Sequence, residues 1–313
     1  MPPLVSVIMP TFNRLQFLPA ALASLFDQSY PHWELIVADD GSEAATRGYL
    51  QSLSVHPRVR LLWLPHSGRP AVARNAALRV ARGDLVAFLD SDDLWLPEKL
   101  ARQIASLREH PRRLWSYTAF ALVNAAGEPQ PQRASTAPGG SILERMLRNE
   151  IIIMPSSVVV TRAVLERLGA FDEELVMSED EELWLRLAVE SEIDGIDEPL
   201  TLIRRHGEHV GDVLIAWRDR RRVFEKALRT HRRAPFAPLL RRQRAEMAAG
   251  LAYSQACGGR RWGAVGTLVS SATYSWRYRQ WWAGAMRTAR AAAPRALREL
   301  ARRCRARAPV VRS

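Results

Sequence analysis

The sequence predicts an α/β protein: a mainly parallel sheet flanked by helices, with an α-helical extension at its C-terminal end. Three observations lead there. Short apolar runs bounded by turn residues alternate with segments of helical period through residues 1–212, the pattern of strand–helix–strand units with helices on both faces of a sheet. Acidic clusters stand at the ends of three apolar runs, where open α/β sheets hold their ligands. Beyond residue 212 the strand-like runs stop and Arg-rich helical segments take over.

Val5-Ser6-Val7-Ile8-Met9 reads as the first strand, halted by Pro10-Thr11. Leu15, Leu18, Leu22, Leu25 and Phe26 recur at helical spacing, with Pro19 tolerable in the first turn. Trp33 to Ala38 is a second strand running into Asp39-Asp40-Gly41-Ser42, Val59 to Leu64 a third, and Ala71 to Val80 a helix. Leu85 to Leu89 is a fourth strand that delivers Asp90-Ser91-Asp92-Asp93 to a sheet edge, and a helix follows from about Pro97 to Glu109. Gly, Pro, Gln and Ser mark Ala125 to Gly140 as a loop or β-hairpin excursion. Ser141-Ile142-Leu143-Glu144 has capping-box spacing and is expected to start a helix. Val158 to Val160 is a strand and Val164 to Leu168 a short helix ended by Gly169. Glu181 to Val189 is a helix carrying Leu183, Trp184 and Leu187, and Pro199 to Ile203 a final strand. Pro235, Pro238, Gly258-Gly259 and Pro294 punctuate the helices beyond.

A chain of 313 residues, 47% hydrophobic and 25% charged, holds one large domain (1–212) and a smaller one (213–313). Its net charge of +12 hides an imbalance. Residues 1–212 carry 21 Lys+Arg against 29 Asp+Glu, a net of −8; residues 213–313 carry 24 against 4, a net of +20. That step argues for two functional regions and against a uniformly basic nucleic-acid binder. Cys257 and Cys304 form neither a metal-ligand spacing nor a disulfide framework, so a reducing, cytoplasmic setting is expected. Met1-Pro2-Pro3 lacks the basic start of a signal peptide, and no run of about 18 apolar residues suggests a spanning helix.

Asp-x-Asp at the end of a core strand offers hard oxygen ligands on one side of a turn, suited to Mg²⁺ or Mn²⁺ bridging to phosphate oxygens. The residues alone thus point to a metal-assisted enzyme acting on a phosphorylated or nucleotide-linked substrate. A longer ordered series goes further: Val5 to Arg14, Trp33 to Ser42, Arg74-Asn75, Gly83 to Asp93, Gly169-Ala170-Phe171-Asp172 and Ser178 to Trp184. Over about residues 4–210 this series resembles the family 2 glycosyltransferases. The resemblance implies a GT-A fold, a nucleotide-sugar donor (UDP favoured over GDP or dTDP), a hydroxyl acceptor and an inverting reaction.

By that resemblance Pro10, Thr11, Phe12, Asn13 and Arg14 bind the donor, Phe12 offering a ring face to the nucleobase. Relatives usually carry Tyr at this position; Phe12 keeps the ring for stacking but has no hydroxyl to bond the donor. Asp40 is expected to accept a hydrogen bond from the base, supported by Asp39; read without the family, the pair could merely cap a helix through a turn. Arg74 faces the base or the diphosphate, with Asn75 orienting nearby groups. Asp90, beside Ser91, contacts the ribose, and Asp92 binds Mn²⁺ or Mg²⁺, which stabilises the departing nucleoside diphosphate. Asp93 reads as a helix cap. Inverting transfer needs a base on the acceptor side; the resemblance assigns it to Asp180, with Glu179 binding acceptor. Crowded carboxylates with partial desolvation would raise the pKa of that base. Trp184, one turn on, reads as core rather than as an acceptor platform. His206 is a third metal ligand, a phosphate contact or a satisfied surface histidine.

The extension carries the charge runs Arg220-Arg221-Arg222, Arg232-Arg233, Arg241-Arg242-Arg244 and Arg302-Arg303-Arg305-Arg307, and with them Trp217, Trp262, Trp276, Trp281 and Trp282. Arg beside aromatic residues on amphipathic helices suits an anionic membrane surface. The same helices could instead pack on the catalytic domain, their Arg content reflecting genomic composition, since Lys99 and Lys226 are the only lysines. On the membrane reading the protein is peripheral on the inner face and its acceptor a lipid-linked saccharide, as in surface polysaccharide assembly. Two other classes compete. A nucleotidyltransferase expects a Gly-rich phosphate loop after the first strand, and Pro10 to Arg14 contains no glycine. A membrane-tethered nucleotide-sugar binder without turnover would have no use for Asp90, Asp92 and Asp180 together.

Overall fold

A computed structural model describes residues 2–132, 134–207 and 213–292. The chain divides into two compact units, Met1–Val210 and Gly211–Ser313. In the first, the elements run β1 (Val5–Thr11), α1 (Leu18–Phe26), β2 (Trp33–Asp39), α2 (Ala44–Ser52), β3 (Val59–Trp63), α3 (Pro70–Leu78), β4 (Leu85–Phe88) and β5 (Leu94–Trp95). There follow α4 (Lys99–Glu109), β6 (Trp115–Val123), α5 (Leu143–Leu147), β7 (Val158–Thr161), α6 (Arg162–Leu168), α7 (Glu179–Glu190) and β8 (Ile193–Arg204).

All eight strands join one sheet in the order β3-β2-β1-β4-β7-β6-β8-β5. The first four are mutually parallel. β1, β2 and β4 are buried, as apolar runs predict for strands covered on both faces, and β3 at the sheet edge is half-exposed. β7 then runs antiparallel to both β4 and β6, β6 pairs parallel with β8, and β5 lies antiparallel along β8. Odd-numbered residues of β1 and β2 (Val5, Val7, Met9; Trp33, Leu35, Val37) share one core with Leu18, Leu22 and Leu25 of α1, Leu50 of α2 and Leu100 and Ile104 of α4. On the other face Phe88 meets Phe171 edge-on at 5.3 Å, and Trp184 of α7 stacks on Trp115 at 5.9 Å. Trp184 is 1% exposed, a core residue as its position suggests, and it fixes α7 to the sheet.

Three local expectations are corrected. β1 does not stop before Pro10 but continues to Thr11. Ile8 O accepts from Leu89 N, so even-numbered residues of β1 point their backbone toward β4, and β4 has ended by Phe88. Pro10 therefore lacks its N–H where no strand needs it. The capping box at Ser141 does not form: α5 starts at Leu143 with Ile142 at its cap and no side-chain bond. The exchange of hydrogen bonds between Gly140 and Ile193 pins the chain before the helix can reach back to Ser141. Asp93 caps no helix, because α4 begins only at Lys99 behind Glu98.

The second unit contains α8 (Val213–Thr230), α9 (Ala237–Cys257), α10 (Arg261–Ser275) and α11 (Arg279–Ala292). α9 packs against the other three, and small residues set the spacing. A Cβ on Gly250 would lie 2.6 Å from the Trp217 ring, and one on Gly284 would lie 2.4 Å from Ala249 Cβ. Trp281 is buried and its indole N–H donates to Ser271 Oγ at 2.9 Å. Trp217 and Trp281 are thus packing residues, whereas Trp262, Trp276 and Trp282 are exposed. Among the described residues no helix is long and apolar enough to cross a membrane. Cys257 is free and exposed; Pro294, Cys304 and the run Arg302-Arg303-Arg305-Arg307 lie outside the described residues.

Candidate active site

The parallel strands β1, β2 and β4 all end at the same edge of the sheet, and there a cleft of ≈ 390 Å³ opens. Pro10, Thr11, Phe12 and Arg14 line it from the end of β1, Asp40 from the end of β2, and Asp90, Ser91 and Asp92 from beyond β4. Arg74 of α3 lines it as well. Asp92 and Asp40 therefore share one cleft.

Three residues assigned to the donor site lie outside the lining. Asn13, at φ 51°, donates its N–H to Ser42 Oγ (2.9 Å) and accepts from Glu43 N (2.8 Å) at the start of α2. Asp39, 1% exposed, accepts from Ser42 N and from Arg47 Nε at 3.0 Å. Both brace the ends of β1 and β2 against α2. Asn75 donates to Phe171 O (2.9 Å) and Glu173 Oε1 (2.8 Å) and accepts from Phe171 N, tying α3 to the segment before α7.

Asp40 organises one wall. Its Oδ1 accepts from Ser67 N (2.9 Å) and Ser67 Oγ (2.8 Å), its Oδ2 from Gly68 N (2.9 Å). The turn so held carries His66, whose ring stacks on Phe12 at 4.0 Å and 22°. Gly41, at φ +80°, makes this approach feasible, because a Cβ there would sit 2.7 Å from His66 N. His66, Gly68, Arg69 and Pro70 all line the cleft, and none stands out in the sequence as a site residue. Their signal there is a His-Ser-Gly-Arg-Pro turn cluster between a strand end and a helix with Pro in its first turn.

At the other wall Asp92 is 8% exposed, with Oδ2 at 3.0 Å from His206 Nε2 and 3.7 Å from Arg14 Nε. His206 is no surface residue: its side chain is 4% exposed and its ring lies 4.6 Å from that of Phe17. Arg204 Nε donates to Asp92 O (2.7 Å) and Arg204 N to Asp93 Oδ1 (3.0 Å). Ser156 Oγ accepts from Asp90 N and donates to Asp93. Burial and the neighbouring Asp92 and Asp90 carboxylates hold the Asp93 carboxyl well above the usual range. Asp93 is thus a buried tie beneath the acidic turn. Asp92 and His206 offer one oxygen and one nitrogen, and among the described residues no group of three or more His, Cys, Asp or Glu could hold a metal alone. That donor pair fits Mn²⁺ or Mg²⁺ held largely by phosphate oxygens and water, the usual division for such ions.

Glu179 and Asp180 open α7, after Ser178 in the left-handed region at φ 65°. Four acidic residues, Glu179 to Glu182, occupy its first turn, where the helix dipole favours negative charge. Arg74 joins them to the cleft. Its Nη1 lies 2.6 Å from Glu179 Oε1 and its Nη2 2.7 Å from Asp90 Oδ1, with the residue 3% exposed. Burial disfavours its charge, but Asp90 and Glu179 outweigh that and raise its pKa further. Arg74, expected against base or diphosphate, is committed to carboxylates on both sides. Asp180 is half-buried and does not line the cleft itself. Desolvation, then the Glu179 charge, push its pKa up to about 7, while Arg74 and the Glu181 N–H pull the other way. A carboxylate poised near neutrality is suited to proton transfer.

Comparison with known proteins agrees with this architecture. The model of the family described as "Glycosyl transferase family 2" matches residues 6–168. The teichuronic acid biosynthesis glycosyltransferase TuaG of Bacillus subtilis is 39% identical over 151 residues, 48% of this chain and 59% of TuaG; this chain thus spans under two thirds of that relative's length. The Escherichia coli β-1,3-glucosyltransferase WfgD is 31% identical over 196 residues, 62% of this chain and 73% of WfgD. The crystal structure of S. aureus TarS in complex with UDP-GlcNAc superposes with a TM-score of 0.61 at 24% identity, over 79% of this chain and 72% of that one, a likeness of fold. On the extent of the family match and the WfgD alignment together, the chain belongs to glycosyl transferase family 2.

Proposed function

We propose that this chain is an inverting glycosyltransferase that moves a sugar from a nucleoside diphosphate donor, UDP-linked in the favoured case, to a hydroxyl acceptor. One observation carries the proposal. Arg74 bridges the acidic turn beyond β4 to the Glu179-Asp180 pair at 2.7 and 2.6 Å, so donor-side and acceptor-side carboxylates stand around one cation at the cleft. The names of the relatives support the substrate class: WfgD uses UDP-Glc and a GlcNAc-diphosphoundecaprenol acceptor, and TuaG is named for teichuronic acid biosynthesis. A saccharide or lipid-linked saccharide acceptor follows for this chain.

In this reading Phe12 packs against the base, and Asp40 acts mainly through the Ser67-Gly68 turn that closes the base pocket. Asp90 meets the ribose while held by Arg74. Asp92 and His206 would hold Mn²⁺ or Mg²⁺. Such an ion supplies Lewis-acid stabilisation of the charge that develops on the leaving diphosphate. Arg14, near Asp92, adds positive charge on the same side. Asp180 takes the acceptor hydroxyl proton as that oxygen attacks the anomeric carbon, and Glu179, fixed by Arg74, orients the acceptor.

Asp92→Ala tests the metal role. Transfer from UDP-sugar with Mn²⁺ is expected to drop about 100-fold or more, since such charge stabilisation contributes several kcal/mol, and wild-type transfer should collapse in EDTA. Full activity of the variant, or indifference of the wild type to chelation, refutes the metal reading and leaves the fold assignment untouched.

A further inference from the structure

We infer that the exposed face of α10, continued by the first turns of α11, is a docking surface for an anionic lipid bilayer. The inference extends the lipid-linked acceptor reading, but it rests on separate residues and is tested without sugar transfer. α10 exposes more apolar side chain than an ordinary surface helix. Its inner side is mostly small: Ala264, Ser271 and Ser275 are buried where the helix packs on α9, and Leu268 and Ala272 pack against Ala245, Ala249 and Trp281. Its outer side is apolar: Trp262 is 88% exposed, Val269 66%, Trp276 54% and Val265 46%. At 100° per residue these four fall within an arc of about 60°, a stripe flanked by Ala272 on one side and Thr273 on the other. The stripe does not end with the helix. Trp282 of α11 donates its indole N–H to Trp276 O at 2.7 Å, and both Trp282 and Met286, one turn on, are more than half exposed.

Charge decides what fits this stripe. Arg260, Arg261, Arg277, Arg279, Arg287 and Arg290 are all exposed, and no Asp or Glu occurs between Glu246 and Glu299. Arg277 lies over the Trp276 ring at 5.1 Å. A second copy of the same face would oppose Arg to Arg with no carboxylate to relieve it. Residues 293–313, with seven Arg and one Glu, would be repelled in the same way. A nucleic acid would satisfy the Arg but gain nothing from Val265, Val269 and Met286. An anionic bilayer satisfies both components: phosphates meet the Arg, the indoles sit at the headgroups, and the aliphatic side chains enter the acyl boundary. With no described helix long and apolar enough to span, the contact is interfacial.

The test is flotation of the full chain with phosphatidylcholine vesicles that contain or lack phosphatidylglycerol. Binding only to the anionic vesicles is expected, weakened at about 0.5 M salt. Trp262→Ser with Trp276→Ser should weaken it about tenfold or more, and Arg261→Glu with Arg277→Glu should abolish it. All four positions are exposed, so melting curves should match wild type. Equal binding to neutral vesicles, undiminished binding of the Trp variant, or no vesicle binding at all overturns the inference; reversible dimerisation abolished in the Trp variant would reassign the face to a second copy. A UDP-sugar thermal shift measured alongside separates the two readings, since its absence beside intact vesicle binding defeats the transferase reading alone.

Discussion

Asp180→Asn is expected to lower sugar transfer about 10²–10⁴-fold, the usual worth of a positioned general base, while leaving donor binding unchanged. The amide keeps shape and removes the proton acceptor. A pH profile makes the assignment specific. Desolvation and Glu179 push the Asp180 pKa up to about 7, so wild-type kcat/KM should rise roughly tenfold per pH unit below about 7 and then level. In the variant that limb should vanish. Stability should move the opposite way. A carboxyl whose folded pKa lies above its unfolded value favours folding fully only below the unfolded value, and that contribution is lost as pH rises through the folded one. Asp180→Asn should therefore melt higher than wild type above about pH 7. Unimpaired transfer, or a persistent limb near pH 7, removes Asp180 from the role of base.

Arg74→Ala should be the most damaging single change to the fold of the site. It leaves Asp90 and the buried Glu179 facing each other without the cation between them. Breaking a buried ion pair from one side costs about 3–5 kcal/mol, which corresponds to a fall in Tm on the order of 10 °C for a domain of this size. Arg74→Lys restores the charge but not the two-pronged contact, since one ammonium cannot reproduce a guanidinium fork. It should recover most of the stability and little of the activity. A Lys variant that regains both would reduce Arg74 to a simple counter-charge. An Ala variant that melts like wild type would mean the bridge is not a structural joint.

How much of this is legible in the sequence depends on what kind of information each element carries. β1, β2 and β4 are buried on both faces and read directly as apolar runs broken by no more than one polar residue each, Ser6 and Glu34. β6 is buried along its first five residues but does not read as a strand, because two polar residues, Ser116 and Thr118, interrupt its apolar run there. The structure satisfies them with Gln103 and Thr201, partners that no local pattern reveals. The first half of β8 carries Asp194, Gly195 and Glu198, and its pairing with β6 slips around Thr118 and Ala119, so only its apolar second half is recognisable. α2 buries just Thr46 and Leu50 and shows no periodic face.

The site divides in the same way. Carboxylates at strand ends are visible because strand ends are visible. What those carboxylates hold is not. Arg74 and Glu179 are 105 positions apart, and Asp93 and Arg204 are 111 apart. Such pairings belong to the fold rather than to any segment. Hence Asp93 reads locally as a cap, and Asp40 reads locally as a cap and only through the family resemblance as a group presented to the base. The His66 segment reads as a turn without showing that its residues line the cleft.

We propose that the cleft at the ends of β1, β2 and β4 receives a nucleoside diphosphate with the help of Asp92. The most direct test is a calorimetric titration of UDP and UDP-sugars into the full chain, with and without Mn²⁺, beside the same titration of Asp92→Ala. Saturable one-to-one binding that needs Mn²⁺ and is abolished in the variant is expected. Binding of equal strength with and without the ion and in both proteins, or no binding of any nucleoside diphosphate, would contradict it.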